Sequence, residues 1–77
     1  MDLEDFYLVC YFCNVSVVLE EEERVIEETD LIARGELNKI FYKNHKDAVV
    51  RSIYPTENGI GLTIYHQKGT ANYGMET

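Results

Sequence analysis

Glu20-Glu21-Glu22-Glu23-Arg24-Val25-Ile26-Glu27-Glu28-Thr29-Asp30 holds seven carboxylates and one arginine in eleven residues, and the conformation given to it decides the rest of the chain. As a strand it fails to alternate, because Glu27, Glu28 and Asp30 fall on both faces. As the start of a helix running from about Glu20 or Arg24 to Lys43 it fits better: Val25, Ile26, Ile32, Ala33, Leu37 and Ile40 recur at spacings that share one helical stripe. Acids then crowd the first turns and Lys39 and Lys43 the last, the polarity that the helix dipole favours, and Asn44 is a suitable stop. Gly35 opposes a continuous helix, since a mid-helix glycine costs about 1 kcal/mol relative to alanine. Gly35 would instead divide the region into an acidic first piece and a short helix from Glu36 to Lys43. A helix that starts at Asp30 and is capped by it is the main alternative.

On the N-terminal side, Phe6-Tyr7-Leu8-Val9-Cys10-Tyr11-Phe12-Cys13 is apolar on both alternating faces, which predicts a strand that is central or covered by another copy. From Asn14 the pattern becomes one-sided, with Val15, Val17 and Leu19 facing one way. On the C-terminal side, two short runs rich in Val, Ile, Thr and Tyr, Ala48–Tyr54 and Ile60–His66, flank Pro55-Thr56-Glu57-Asn58-Gly59. A residue that cannot donate to a ladder followed by an Asn-Gly pair predicts a hairpin. Ile53 then lies near Leu62 or Ile64, and Tyr54 and Tyr65 share the opposite face. The order is β-α-β-β: an α+β fold in one small domain, a three-stranded sheet with one helix packed on one face. Residues 69–77, glycine-containing and without apolar pattern, read as a flexible tail.

The chain of 77 residues, 45% hydrophobic with nine aromatics, six Tyr and three Phe, carries enough apolar surface to fold despite a net charge of −7. At this length only roughly 60 to 65% of the unfolded surface is buried, so stability is expected to be marginal and self-association to add to it. Met1 is followed by Asp2, Glu4 and Asp5 where a secretory leader needs positive charge, and the stretch from Phe6 to Leu19 is too short and polar to span a bilayer. Cys10 and Cys13 are the only two cysteines, too few for a disulfide framework. A soluble, cytoplasmic protein is expected.

Charge is unevenly placed. Residues 1–30 hold ten acids against Arg24 alone, a net of −9, and residues 31–77 hold four acids against six bases, a net of +2. Concentrated charge steers a basic partner over a Debye length of roughly 8 Å at physiological salt. The acidic segment is therefore the candidate partner-binding site, with Glu20, Glu21, Glu22, Glu23, Glu27, Glu28 and Asp30 as its residues. On a helix, Glu20, Glu23, Glu27 and Asp30 would form one negative stripe, able to stand in for a phosphate backbone against a nucleic-acid-binding surface. Exposed tyrosines would supply the anchors that dominate binding energy.

Catalytic and metal chemistry find little support. Cys10-x-x-Cys13 with His45 and His66 has zinc-ligand types, but a zinc knuckle needs a tight turn that Tyr11-Phe12 does not supply, and buried structural cysteines are the better account. His45 and His66 have no acid and nucleophile arranged around them, and no phosphate loop, nucleophile elbow or EF-hand order of ligands occurs. No catalytic residue, metal or cofactor is expected. Arg34, Lys39, Lys43, Lys46 and Arg51 beside Phe41, Tyr42, Tyr54 and Tyr65 could suit single-stranded nucleic acid, but the acidic half opposes direct nucleic-acid binding, and no membrane contact is expected.

The expectation is a non-enzymatic regulator or inhibitor that docks its acidic segment on a basic protein surface. In size, acidity and outline the chain is similar to small inhibitors such as phage-encoded anti-defence proteins, antitoxins and nuclease-immunity proteins, a likeness of composition that assigns no residue a role. The polarised charge also predicts a homodimer, acidic half to basic half, and a homo-oligomeric scaffold with a solvated acidic face is the rival.

Overall fold

Asp2 begins the first element by closing a capping box: its carboxylate accepts the Asp5 N–H at 2.9 Å and the Asp5 carboxylate accepts the Asp2 N–H at 3.5 Å. In the computed structural model, which describes residues 1–67, helix α1 (Leu3–Cys10) follows. The tail expected at residues 69–77 lies outside the described residues. Strand β1 (Asn14–Glu21) and strand β2 (Arg24–Ala33) form a hairpin, the short β3 (Glu36–Leu37) folds back on β2, helix α2 (Lys39–His45) crosses, and β4 (Val49–Pro55) and β5 (Gly59–Tyr65) form a second hairpin. The sheet runs β3-β2-β1-β5-β4, antiparallel throughout except for the parallel pair β1 and β5.

This is a small α+β domain with a mixed sheet and two helices, and it corrects the expected β-α-β-β outline in three places. The sheet has five strands rather than three. Phe6–Cys13 is not a strand: Leu3, Phe6, Tyr7 and Cys10 recur at helical spacing and face the core. The long helix from Glu20 or Arg24 to Lys43 does not form. In its place stand β2, β3 and only the seven-residue α2, which Asn38 caps by accepting the Phe41 N–H at 3.1 Å. Asp30 lies within β2 and caps nothing, and Asn44 lies inside α2, which ends one residue later.

The failed alternation in β2 has a structural cause. Val15 pairs with Ile32 but Ser16 with Asp30, and Leu19 pairs with Glu27 but Glu20 with Val25. Leu31 and Ile26 are therefore extra residues, each a bulge that shifts the phase of the strand. The first bulge lets the adjacent residues Leu31 and Ile32 both be buried, and the second leaves the adjacent Val25 and Ile26 both exposed. Two phase shifts inside ten residues turned a period of two into spacings that imitate a helix.

Both helices lie on one face of the sheet. Leu3 and Phe6 of α1, Phe41 of α2 and Ala48 pack on Val15, Val17, Leu19, Leu31, Ile32, Leu62 and Ile64, and no polar residue is buried among the described residues. Leu3 N–H donates to the Ala48 carbonyl at 2.9 Å and Glu4 N–H to that of Lys46 at 3.0 Å, which sets the start of α1 beside the end of α2. The predicted hairpin is present, and Ile53 pairs with Leu62. Gly59 is required by its neighbour: a Cβ there would stand 2.1 Å from the Asn14 carbonyl oxygen. None of the described helices is long and apolar enough to cross a membrane.

Candidate interaction surface

The acidic segment turns in two residues. Glu21 pairs with Arg24, so Glu22 and Glu23 make the whole loop, and both have left-handed backbones, with φ of 53° and 67°. Two-residue hairpins prefer such turns because their twist matches that of the strands, but the positions suit Asn and Gly and cost glutamate roughly 1 kcal/mol each. The same backbone recurs at Arg34 and Gly35, with φ of 56° and 82°, between β2 and β3.

The seven predicted acids share no stripe, because a strand sends alternate side chains to opposite faces. Glu20, on the face away from the helices, accepts from Arg51 Nη1 at 3.1 Å. Glu28 and Asp30 lie on that face too, and Asp30 accepts from Ser16 Oγ at 3.1 Å. Glu27 pairs beside Leu19 on the helix face, where its Oε1 stands 3.8 Å from His45 Nε2. Glu21, Glu22 and Glu23 are gathered at the tip and exposed. The fold thus divides the segment into three carboxylates at the hairpin tip, three on the outer face and one, Glu27, exposed on the helix face beside His45.

The two histidines, distant in sequence and read as separate solvated side chains, meet. His45 Nδ1 and His66 Nε2 are 2.9 Å apart, and the His45 ring also packs on Phe41. Burial holds the His45 imidazole below its ordinary pKa and His66 lowers it further, while Glu27 acts in the other direction. Cys10 ends α1 and Cys13 follows it, with the Cys13 N–H donating to the Cys10 carbonyl at 3.4 Å. Both thiols are free, part-buried and packed against the core. No cluster of three or more His, Cys, Asp or Glu side chains suited to a metal occurs among the described residues.

Within Phe6–Cys13, expected to be covered on both faces, several apolar side chains are exposed. The most exposed large apolar side chains are Ile40 of α2, 77% exposed, and Phe12, 75%, with Leu8, Val9 and Tyr11 beside Phe12 on α1 and the turn after it. Of the tyrosines expected to be exposed, Tyr11 and Tyr54 are exposed, whereas Tyr7, Tyr42 and Tyr65 are half-buried. Tyr42, Tyr7, Tyr11 and Phe12 form a chain of ring contacts at 5.0, 6.3 and 6.2 Å. A heptad-like reading of Leu8, Val9 and Phe12 against Leu3, Phe6 and Cys10 would have marked two apolar helix faces where one suffices for the core. No protein family model, curated protein or solved structure matches the chain.

Proposed function

We propose that the chain is a non-enzymatic binding protein, a regulator or inhibitor that sets the acidic β1–β2 hairpin against a basic surface of a partner protein, such as its nucleic-acid-binding face. The observation that carries this reading is the hairpin tip, where Glu21, Glu22 and Glu23 stand exposed next to Val25 and Ile26, themselves 51% and 53% exposed. Carboxylates of this kind speed and orient encounter, and adjacent apolar side chains supply the desolvated contact that holds it. Glu20, Glu27, Glu28 and Asp30 extend the negative field along the same hairpin.

The test is partner capture followed by association kinetics. The triple variant Glu21→Lys, Glu22→Lys, Glu23→Lys should slow association by about tenfold or more at low salt and much less at high salt, with urea unfolding unchanged. Association as fast as that of the parent would show that the tip is only a solvated face.

A second reading, self-association to a homodimer, is favoured by the outward apolar face of α1. Sedimentation should then show a dimer for the parent and a monomer for Phe12→Glu, and a parent monomer at tens of micromolar would remove this reading.

A further inference from the structure

Among the described residues, strand β2 is paired over most of its length on one side only. Toward β1 it is paired from Arg24 to Ile32 apart from the bulges at Ile26 and Leu31, but on its other side β3 covers only Ile32 and Ala33. Just before them, Asn38 takes the carbonyl of Leu31 through its N–H at 2.7 Å and that of Asp30 through Nδ2 at 3.3 Å. The Asp30 carbonyl therefore points away from β1. Backbone groups in an antiparallel strand alternate sides residue by residue, so those of Glu28 point outward too, and they have no backbone partner among the described residues.

The opposite edge of the sheet is closed by other means. Strand β4 is bulged at Arg51 and ends at Pro55, which has no N–H to offer, and Met1 and Asp2 lie against Val49 and Val50. Such devices keep an edge from accepting another strand. The Glu27–Asp30 stretch of β2 lies between its two bulges and lacks a proline. What it carries is charge: Glu28 and Asp30 on one face and Glu27 on the other. Like charges directly opposite each other in a sheet are destabilising, so a second copy paired antiparallel about Glu28 would set acid against acid. A strand carrying Lys or Arg at alternate positions meets no such penalty.

We propose that the outer edge of β2 is a strand-addition site for an extended, basic segment of a partner protein. The incoming main chain exchanges hydrogen bonds with the N–H and C=O of Glu28, its alternate basic side chains lie on the outer face beside Glu28 and Asp30, and Val25 and Ile26 receive an apolar residue at the tip. Main-chain bonds supply affinity in this mode and side chains supply selection. The inference rests on the reading that the acidic hairpin meets a basic partner, and it adds how the two chains join.

The probe is a synthetic octapeptide of alternating Lys and Val added to the isotopically labelled full chain. In the free protein the Glu28 amide should exchange with solvent far faster than those of Glu27 and Thr29, and the peptide should slow it by about tenfold or more. The same peptide N-methylated at alternate residues, with its charge kept and its N–H donors on the pairing edge removed, should bind about fivefold more weakly, as the loss of the hydrogen bond to the Glu28 carbonyl at about 1 kcal/mol implies. A Glu-Val octapeptide should leave Glu28 unchanged. An N-methylated peptide that binds as tightly as the parent peptide, or a Glu28 amide that the Lys-Val peptide does not protect, overturns strand addition. Those failures leave the docking reading standing if charge reversal at the tip still slows capture of the partner, whereas a protected Glu28 with partner association untouched by that reversal would leave strand addition and remove the docking tip.

Discussion

The two long hairpins of this sheet turn by opposite means. Strands β1 and β2 reverse in two residues, Glu22 and Glu23, both held in left-handed conformations, while β4 and β5 reverse across Thr56–Gly59, where no residue has positive φ and the Thr56 N–H closes the loop on the Gly59 carbonyl at 3.0 Å. The first turn is made of residues that resist it, and the second needs no left-handed residue at all. Strand β1 is the middle strand of five, with β2 on one side and β5 on the other, and its Val15, Val17 and Leu19 are each buried. Pairing and burial on that strand hold the Glu22-Glu23 turn in place, so tertiary structure imposes the first hairpin, while the second turns without left-handed residues and is fitted to β1 through Gly59.

If so, the hairpins differ most where they bury apolar surface. Leu62 at the middle of β5 is fully buried, and Val25 near the tip of β2 is half exposed. Leu62→Ala should cost about 2 to 5 kcal/mol in urea unfolding, enough to leave a domain of this size partly unfolded, and Val25→Ala about 0.5 kcal/mol or less. Comparable losses at the two sites would mean that the tip is as much a part of the core as β5.

Next in size is the contact between the hairpins. Gly59 faces the Asn14 backbone across the parallel pair β1 and β5, and a methyl group there would meet the Asn14 carbonyl oxygen at 2.1 Å, its carbon at 3.0 Å and the Asn14 Cβ at 3.1 Å, none of which is the far end of a flexible side chain. Gly59→Ala should cost about 2 to 3 kcal/mol, whereas Asn58→Ala, one residue away at negative φ, should cost about 0.5 kcal/mol or less. The sequence signal at Asn58-Gly59 thus located the hairpin correctly for a different physical reason: the glycine is there for close approach and not for a left-handed turn.

The turns themselves offer the reverse sign. Replacing Glu22 and Glu23 by Asn and Gly relieves two left-handed glutamates and should stabilise the protein by about 1 to 2 kcal/mol, read as a higher urea midpoint with an unchanged slope. A neutral or destabilising result would mean that the glutamate side chains contribute contacts that offset the backbone cost.

These contrasts mark what could be read from the residues. The β4–β5 hairpin announced itself because Pro55, Asn58 and Gly59 interrupt two regular β-branched runs. Helix α1 carried its own signal, the carboxylates of Asp2 and Asp5 three residues apart and Leu3, Phe6, Tyr7 and Cys10 at helical spacing, which the unbroken apolarity of Phe6–Cys13 concealed. In β2 the bulges at Ile26 and Leu31 erased the period that would have identified a strand, and nothing in four consecutive glutamates signals a turn. The acids of the candidate surface were visible as a cluster, but their division between two faces and a tip, the open edge at Glu28 and the meeting of His45 with His66 depend on strand pairing and register, which composition does not contain.

His45 is the last tie between the hairpins, since it reaches Glu27 of β2 with one ring nitrogen and His66, just beyond β5, with the other. Its imidazole titrates below the ordinary value of 6.5 because burial, and then His66, disfavour the charged form, with Glu27 opposing. The unfolded chain therefore binds the extra proton first as pH falls, so this contribution to stability is whole above the unfolded pKa, declines as pH drops below it and levels off beneath the folded pKa. Urea midpoints at about pH 7.5 and about pH 5.5 should fall further for the parent than for His45→Asn, which lacks the titrating group while carboxylate effects remain common to both. Equal falls in the two proteins would show that His45 does not couple the hairpins through its charge.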